Sequence, residues 1–379
     1  MAMRVSLDVS AVPRSPAGAG RYIIELAQRL DSTNLDLTLV SRKGDAQRWR
    51  ESSPGAVVAD IVPKSRPARL LYERFIVGRF GAPRTSDVWH SPHYSMPRGL
   101  QTATVVTIHD LTYFSNPEWH EKSKVQFFKR SMRYAAKHAD VLIAVSEFTA
   151  EQMKRYIPTR KPVVVAPHGV DLEHFSTKGQ NDEALIAPFR DGDVPYIFFV
   201  GTLEPRKGLD FLLDAFASVA TTHPELELWI AGQRGWGRNT VDERLAHHPF
   251  ASRIRQLGYV ANEVLPALFR QASVVAYPSR GEGFGLPVLE ALACGAVVVT
   301  SAGTVMEEVA GDAAMLVRVG DIAQLAEALD KGLGLTDEQR GEVAVRARSR
   351  SEVYTWDVAI ARHLEAYDLA KSEFARNRR

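Results

Sequence analysis

The sequence predicts an α/β protein built from two tandem, doubly wound domains. Three observations predict it: the length of 379 residues, short β-branched runs alternating with helical periods, and a restart of that alternation after a polar interval at 176–193. At roughly 100 to 200 residues per domain, this length makes two domains. The 45% hydrophobic and 24% charged side chains are those of a globular chain able to bury real cores.

In the first half, strands are expected at 4–9, 35–40, 104–108, 141–145 and 163–166, because nearly continuous apolar runs suit parallel strands covered on both faces. Between them, 21–30 places Ile23, Ala27 and Leu30 on one helical face, and 125–134 does the same with Val125, Phe128 and Met132. The interval 176–193 has few large apolar residues and two prolines close by, at Pro188 and Pro195, which reads as a linker. Beyond it, strands are expected at 196–200, 227–231, 274–277, 296–300 and 314–317, with helices starting from Gly208, Asn262, Gly285 and Asp321. A further helix is expected over 356–379. The resulting domains are 1–178 and 179–355.

Charge and composition exclude several classes. Forty-seven Lys and Arg against 45 Asp and Glu leave +2, so a strongly basic nucleic-acid binder is excluded and no nucleic-acid partner is expected. The single cysteine, Cys294, allows neither an internal disulfide nor a cysteine-ligated zinc cluster. No apolar signal region precedes the first expected strand, and no stretch reaches the ~18 apolar residues of a membrane span, so a cytoplasmic protein is expected.

In open parallel sheets, ligands sit beyond the carboxyl ends of strands. Four clusters follow strands directly. After the first strand come Gly18 and Gly20, whose small size lets backbone amides approach an anion at a helix start. The G-x-G-x-x-G spacing is absent, so a plain flexible loop fits equally and a dehydrogenase is disfavoured. After 104–108 come His109 and Asp110; the histidine can face a ligand or simply bond a loop carbonyl. After 196–200 comes Gly201-Thr202-Leu203-Glu204-Pro205-Arg206-Lys207-Gly208. Two cations at a helix N-terminus oppose the macrodipole, so something anionic should compensate, the plainer reading being two solvated cations. Hydrogen bonds to charged groups, worth about 1.5–3 kcal/mol, would outweigh the dipole's ~0.3–1 kcal/mol in holding phosphate. After 274–277 comes Pro278-Ser279-Arg280-Gly281-Glu282-Gly283-Phe284-Gly285-Leu286-Pro287-Val288-Leu289-Glu290. Gly283 and Gly285 expose amides, Pro287 suits a first helical turn, and two carboxylates two turns apart can serve one ligand. The plainer reading makes Glu282 a capping acid and Glu290 a surface residue.

The string from Glu282 to Glu290 resembles the two-glutamate motif of retaining nucleotide-sugar glycosyltransferases of family 4, which have the GT-B fold. It is joined in order by Gly18 and Gly20, His109-Asp110, Val145-Ser146-Glu147-Phe148-Thr149, Pro167-His168-Gly169-Val170-Asp171 and the 201–208 string, so the resemblance covers nearly the whole chain. It is greatest to bacterial mannosyl- and rhamnosyltransferases of cell-surface polysaccharide, lipopolysaccharide and glycolipid assembly. The resemblance implies that Arg206 and Lys207 hold the donor's diphosphate, that Glu282 and the amides of Gly283, Phe284, Gly285 and Leu286 hold the sugar, and that Glu290 binds the ribose. It places His109 near the transferred sugar across an interdomain cleft, Gly18 and Gly20 near phosphate and acceptor, and the helix 356–379 back on the first domain. It further implies that Gly201 and Thr202 line the diphosphate strand and that the backbone of Gly258, Tyr259 and Val260 sets base selectivity. Many members carry arginine where this chain has Thr202, which leaves that work to Arg206. His168 replaces the usual asparagine of its motif and reads as a turn change.

The same resemblance implies a front-face retaining transfer in which the leaving phosphate takes the acceptor's proton. Arg206, Lys207 and backbone amides then stabilise the diphosphate without a metal or other cofactor. The one Asp-x-Asp string, Asp191-Gly192-Asp193, reads as a turn. The donor expected is GDP-mannose, with dTDP-rhamnose or a UDP-sugar as alternatives; an epimerase and a non-catalytic nucleotide-sugar binder are the competing readings. The acceptor expected is a glycan or lipid-linked group. Two basic segments, 64–84 and 120–137, each of net +5, fit either ordinary amphipathic helices with solvated cations or peripheral contact with an anionic membrane surface.

Overall fold

The computed structural model describes residues 2–13, 18–75, 77, 85–190, 192–233, 235 and 238–378. The chain forms two compact units, Met1–His168 with Trp356–Arg379, and Gly169–Thr355.

The first unit has seven strands: β1 (Met3–Asp8), β2 (Leu35–Arg42), β3 (Val57–Val62), β4 (Val88–Ser91), β5 (Ala103–Ile108), β6 (Val141–Ala144) and β7 (Val163–Val165). All pair in parallel in the order β3-β2-β1-β4-β5-β6-β7. Every residue of β5 and β6 is buried, as their continuous apolar character demands. Strand order reverses between β1 and β4, so the loops leaving these neighbours diverge and open a crevice at the sheet's carboxyl edge.

Helix Ala19–Asp31 covers one face with Tyr22, Ile23, Leu26, Ala27 and Leu30. The last helix, Trp356–Arg376, packs into the same core through Trp356, Ile360 and Tyr367. Its polar groups are matched as well: His363 Nε2 lies 2.7 Å from the Tyr22 hydroxyl, and the Tyr367 hydroxyl lies 2.9 Å from His90 Nδ1. The units divide after His168, upstream of the expected 178/179 boundary. Val170 bridges Thr355, so the chain leaving His168 is already part of the second unit.

The second unit carries β8 (Tyr196–Val200), β9 (Glu227–Ala231), β10 (Ile254–Gly258), β11 (Val274–Tyr277), β12 (Val298–Ala302) and β13 (Met315–Arg318). They run parallel in the order β10-β9-β8-β11-β12-β13, which reverses between β8 and β11. Helices Leu209–Thr222, Leu265–Gln271, Leu286–Ala293 and Ile322–Leu333 follow the expected starts, the last capped by Asp321, which accepts from the Gln324 amide. The interval 176–193 is no free tether. It contains the helix Asp182–Ile186 with Ile186 fully buried, and Arg270 clamps Asp182 at 2.7 Å and the Ser176 carbonyl at 2.8 Å.

Three strands escaped the sequence reading. β3 and β10 are sheet edges with partly exposed residues, and β4, Val-Trp-His-Ser, has no β-branched run although all four residues are buried. Among the described residues, no helix is long and apolar enough to cross a membrane.

Candidate functional site

The second unit's charged cluster sits where its strand order reverses. β8 and β11 are neighbours, so the turn carrying Arg206 and Lys207 and the loop carrying Glu282 leave adjacent strands. Pro205–Lys207 forms a 3-10 turn, and Gly208, at φ 72°, starts the helix Leu209–Thr222. Glycine is needed there, both for that φ and because a Cβ would lie 2.0 Å from the Pro278 carbonyl oxygen. The two segments are stitched together: the Arg280 amide donates to the Arg206 carbonyl at 2.8 Å, and the Ser279 hydroxyl lies 3.0 Å from the same oxygen.

The compensating anion is the protein's own Glu282. Arg206 Nη1 donates to Glu282 Oε2 at 2.6 Å and Arg206 Nε to Glu204 at 2.9 Å. Lys207 Nζ pairs with Glu282 Oε1 and donates to the Tyr277 hydroxyl at 2.8 Å. Tyr277 and Ser279 hydroxyls each lie 3.1 Å from Glu282 Oε1. Burial alone would raise the Glu282 pKa, but the Arg206 and Lys207 charges outweigh it and hold the carboxyl at about 2. Burial and the neighbouring Arg206 charge lower the Lys207 pKa against the pull of Glu282. Burial drives the Tyr277 phenol up, so it stays protonated as a donor. The capping reading of Glu282 is therefore wrong: it faces two cations and two hydroxyls. Glu290 is not a surface residue either, being buried within Leu286–Ala293.

The remaining residues of this expected set surround the cluster or lie away from it. Gly201 continues from β8, and the Glu204 amide donates to the Thr202 carbonyl at 2.8 Å, forming the turn that presents Arg206. Gly283, Phe284, Gly285 and Leu286 lead into the helix Leu286–Ala293, with Gly285 as N-cap at φ 100° and Phe284 buried against Tyr354. Gly258 ends β10, followed by Tyr259, which is 65% exposed, and Val260. Tyr277 and Ser279 were not singled out from the sequence. Their signal was position, since each flanks the strand end that leads to Glu282.

In the first unit, His109 is buried at the end of β5 with Nε2 2.8 Å from the Pro92 carbonyl, so this nitrogen donates to a loop. Its ring stands against Tyr22 at 5.1 Å and His168 at 5.7 Å, and burial lowers its pKa. Asp110 accepts from the Tyr94 hydroxyl at 2.9 Å and the Thr112 amide at 3.0 Å. Ser146 caps helix Glu147–Tyr156 by accepting from the Thr149 amide at 2.9 Å, and Asp171 accepts from the Glu173 amide at 3.0 Å. These contacts of Ser146 and Asp171 are cap and turn chemistry. His168 is more than a turn change, because it is buried 4.5 Å from the Tyr22 ring. Gly18 is the N-cap of helix Ala19–Asp31 and Gly20 lies buried in its first turn.

Asp191 of the Asp-x-Asp string lies outside the described residues, and Asp193 pairs with Arg190. Among the described residues, no group of three His, Cys, Asp or Glu side chains could hold a metal ion. In the basic segment 64–84, the side chains of Arg66, Arg74, Ile76, Arg79, Phe80 and Arg84 lie outside the described ones. Helix Arg66–Phe75 meets the expectation of apolar residues inward only in part: Tyr72 packs on the core, but Leu71 and Phe75 are 59% and 56% exposed, and Arg69 donates inward to the Ser10 carbonyl at 3.0 Å. In the segment 120–137, Lys129 and Arg133 lie over the Phe114 ring.

Two doubly wound parallel sheets, the second with paired cations at its switch point, are the architecture of an α/β enzyme, and two family descriptions match the chain in order. Glycosyltransferase Family 4 matches residues 16–174 and Glycosyl transferases group 1 matches residues 181–350. The chain belongs to glycosyltransferase family 4; it is a glycosyltransferase with the GT-B fold. It is 27% identical to the O-antigen chain mannosyltransferase B of Escherichia coli over 97% of this chain and 100% of that one. Among solved structures, it superposes on the sucrose-phosphate synthase of Thermosynechococcus elongatus with a TM-score of 0.79, at 19% identity over 97% of this chain and 99% of that one. It superposes on Anabaena HepE in complex with UDP-glucose with a TM-score of 0.76, at 17% identity over 98% and 100%.

Proposed function

We propose that the protein transfers mannose from GDP-mannose, with retention, to a glycan or lipid-linked acceptor in cell-surface polysaccharide synthesis. The observation that carries this reading is the Arg206, Lys207 and Glu282 cluster at the second unit's switch point. Two preorganised cations suit the charge that grows on a departing nucleoside diphosphate. Glu282, with a pKa near 2, is a poor base at neutral pH, because a general base works best when its pKa lies near the operating pH. It orients donor hydroxyls and cations instead. The acceptor's proton then goes to the leaving phosphate oxygen, which becomes more basic as the glycosidic bond breaks. Retention follows because attack and departure share one face. The choice of mannose is supported by the E. coli relative, whose name states that activity.

Because Arg206 and Lys207 supply the positive charge, the transfer needs no metal; activity that survives a chelator supports this, and loss restored by Mg²⁺ or Mn²⁺ overturns it. The net +5 of the sequence 64–84, with Leu71 and Phe75 exposed, supports peripheral contact with an anionic leaflet at the cytoplasmic face. Binding to anionic liposomes at low salt tests it.

The donor is tested by thermal shift with GDP-mannose, dTDP-rhamnose, UDP-glucose and UDP-N-acetylglucosamine. The true donor at 100 times its dissociation constant adds about 2.7 kcal/mol of stability. A response to dTDP-rhamnose or a UDP-sugar alone refutes GDP-mannose. Lys207→Ala should lower transfer about 10²–10³-fold with the fold intact, as loss of one charge-stabilising donor does elsewhere. Full activity in that variant overturns the diphosphate assignment.

A further inference from the structure

Arg206 and Lys207 stand on a support that is weak by itself. Pro205–Lys207 is a single 3-10 turn, whose hydrogen-bond geometry is poorer than that of an α-helix, and it carries two cations side by side. Its own closing bonds run from the Lys207 amide to the Glu204 carbonyl at 3.0 Å and from the Gly208 amide to the Pro205 carbonyl at 3.3 Å. Glu282 answers the charge of both side chains, but the backbone that carries them has to be held from elsewhere.

Arg280, in the loop that follows β11, supplies that hold. Its charge is answered by Asp210 rather than by Glu204 or Glu282. Nη1 donates to the Pro205 carbonyl, Nη2 donates to Asp210 Oδ2 at 2.5 Å, and the guanidinium lies over the Phe211 ring with Cζ 4.0 Å from its centroid. The Arg280 amide donates to the Arg206 carbonyl at 2.8 Å. One residue thus grips the turn at its first residue, at its middle carbonyl, and beyond it in the first turn of helix Leu209–Thr222, so that Arg206 and Lys207 lie between its attachment points. A lysine cannot replace it. A guanidinium offers donors at two fixed ends and stacks on a ring, whereas an ammonium is a compact point charge that does not span both acceptors.

We infer that Arg280 is a positioning residue for the transfer: it acts through Arg206 and Lys207, by fixing the backbone that presents them to the departing diphosphate. The inference rests on the diphosphate reading of those two cations and adds the residue that preorganises them. Stabilising a leaving group depends on donors already in place when its charge develops, and a misplacement of about 1 Å can cost about 10²-fold. Loosening the turn is therefore felt in kcat, while the hold on the rest of the nucleotide sugar, and with it KM, stays near that of wild type.

The test measures nucleotide release from the nucleotide sugar that gives a thermal shift, with methyl α-mannoside as acceptor. Arg280→Lys, which keeps the charge, should lower kcat about tenfold with the donor KM within about threefold of wild type, and Asp210→Ala should lower kcat in the same way. In a Lys207→Ala background the Arg280→Lys change should cost no more than about threefold, because effects carried through a shared group are not additive. A purely structural role costs the same factor in both backgrounds, and that result overturns the inference. An unchanged kcat in Arg280→Lys, or a loss confined to KM, overturns it as well. If Arg280→Lys does not fold, Asp210→Ala decides, and full kcat there overturns the inference. An unimpaired Lys207→Ala overturns the diphosphate reading itself, whatever Arg280→Lys does.

Discussion

Glu282→Gln tests the heart of the second unit. The change keeps the shape but removes the one anion that meets both Arg206 and Lys207. Holding the carboxyl at about 2 rather than at its ordinary 4.5 corresponds to about 3 kcal/mol of preference for the charged form. Breaking a buried pair costs a similar ~3–5 kcal/mol, and here Lys207 loses its carboxylate partner while Arg206 keeps Glu204. For a unit of this size, each kcal/mol shifts the melting temperature by about 2–4 °C, so a fall of about 6–12 °C is expected at pH 7. The sign of the pH effect follows from a depressed folded pKa. The stabilisation is complete above pH 4.5 and drains away as the pH falls towards 2, so wild type and variant should converge on acidification. Scanning calorimetry between pH 7 and pH 3 reads this, and inorganic pyrophosphate should restore stability to the variant more than to wild type. An unchanged melting temperature at pH 7 with a parallel acid slope would refute the argument.

Tyr277→Phe removes the hydroxyl between Lys207 and Glu282, and kcat/KM should fall about tenfold, as for ~1.4 kcal/mol, with little change in melting temperature. In the first unit, burial holds His363 at about 4, so it contributes stability above its unfolded pKa near 6.5 that is lost as the pH falls through 4. His363→Asn should flatten the acid limb of that unit's unfolding curve between pH 6.5 and pH 4, measured by circular dichroism. Gly208→Ala drives a Cβ into the Pro278 carbonyl and should cost at least ~2 kcal/mol in urea titrations. Gly258→Ala, at φ 67° with no atom within 4 Å of the added carbon, should cost only the ~1–2 kcal/mol of backbone strain.

The sequence was most readable where one physical pattern dominated. Fully buried strands such as β5, β6 and β8 declare themselves as unbroken apolar runs, and Gly208 and Gly285 mark helix starts because the chain turns there in a conformation glycine tolerates. β4 was invisible because its histidine is accommodated only by partners distant in sequence, Thr107 and Tyr367. The same limit applied to the site. Two adjacent cations announced an anion, but only the adjacency of β8 and β11 identifies Glu282 as that anion within the protein. Arg69 and Glu73 read as part of an amphipathic surface helix, and nothing local says that they turn inward to line one crevice with Asp8 and Ser10.

The first unit is assembled from two segments, 1–168 and 356–379, with the whole of the second unit between them in sequence, which bears on folding during synthesis. Residues 169–355 are contiguous and hold all six strands of their own sheet, so they can close as soon as they are made. The opening 168 residues must wait for Trp356, Ile360 and Tyr367, a delay of roughly 10–40 s at common elongation rates. During that interval Tyr22 and His90 lack their final partners and an apolar sheet face is uncovered, which makes the nascent first unit, although synthesised earliest, the part that calls for chaperone protection.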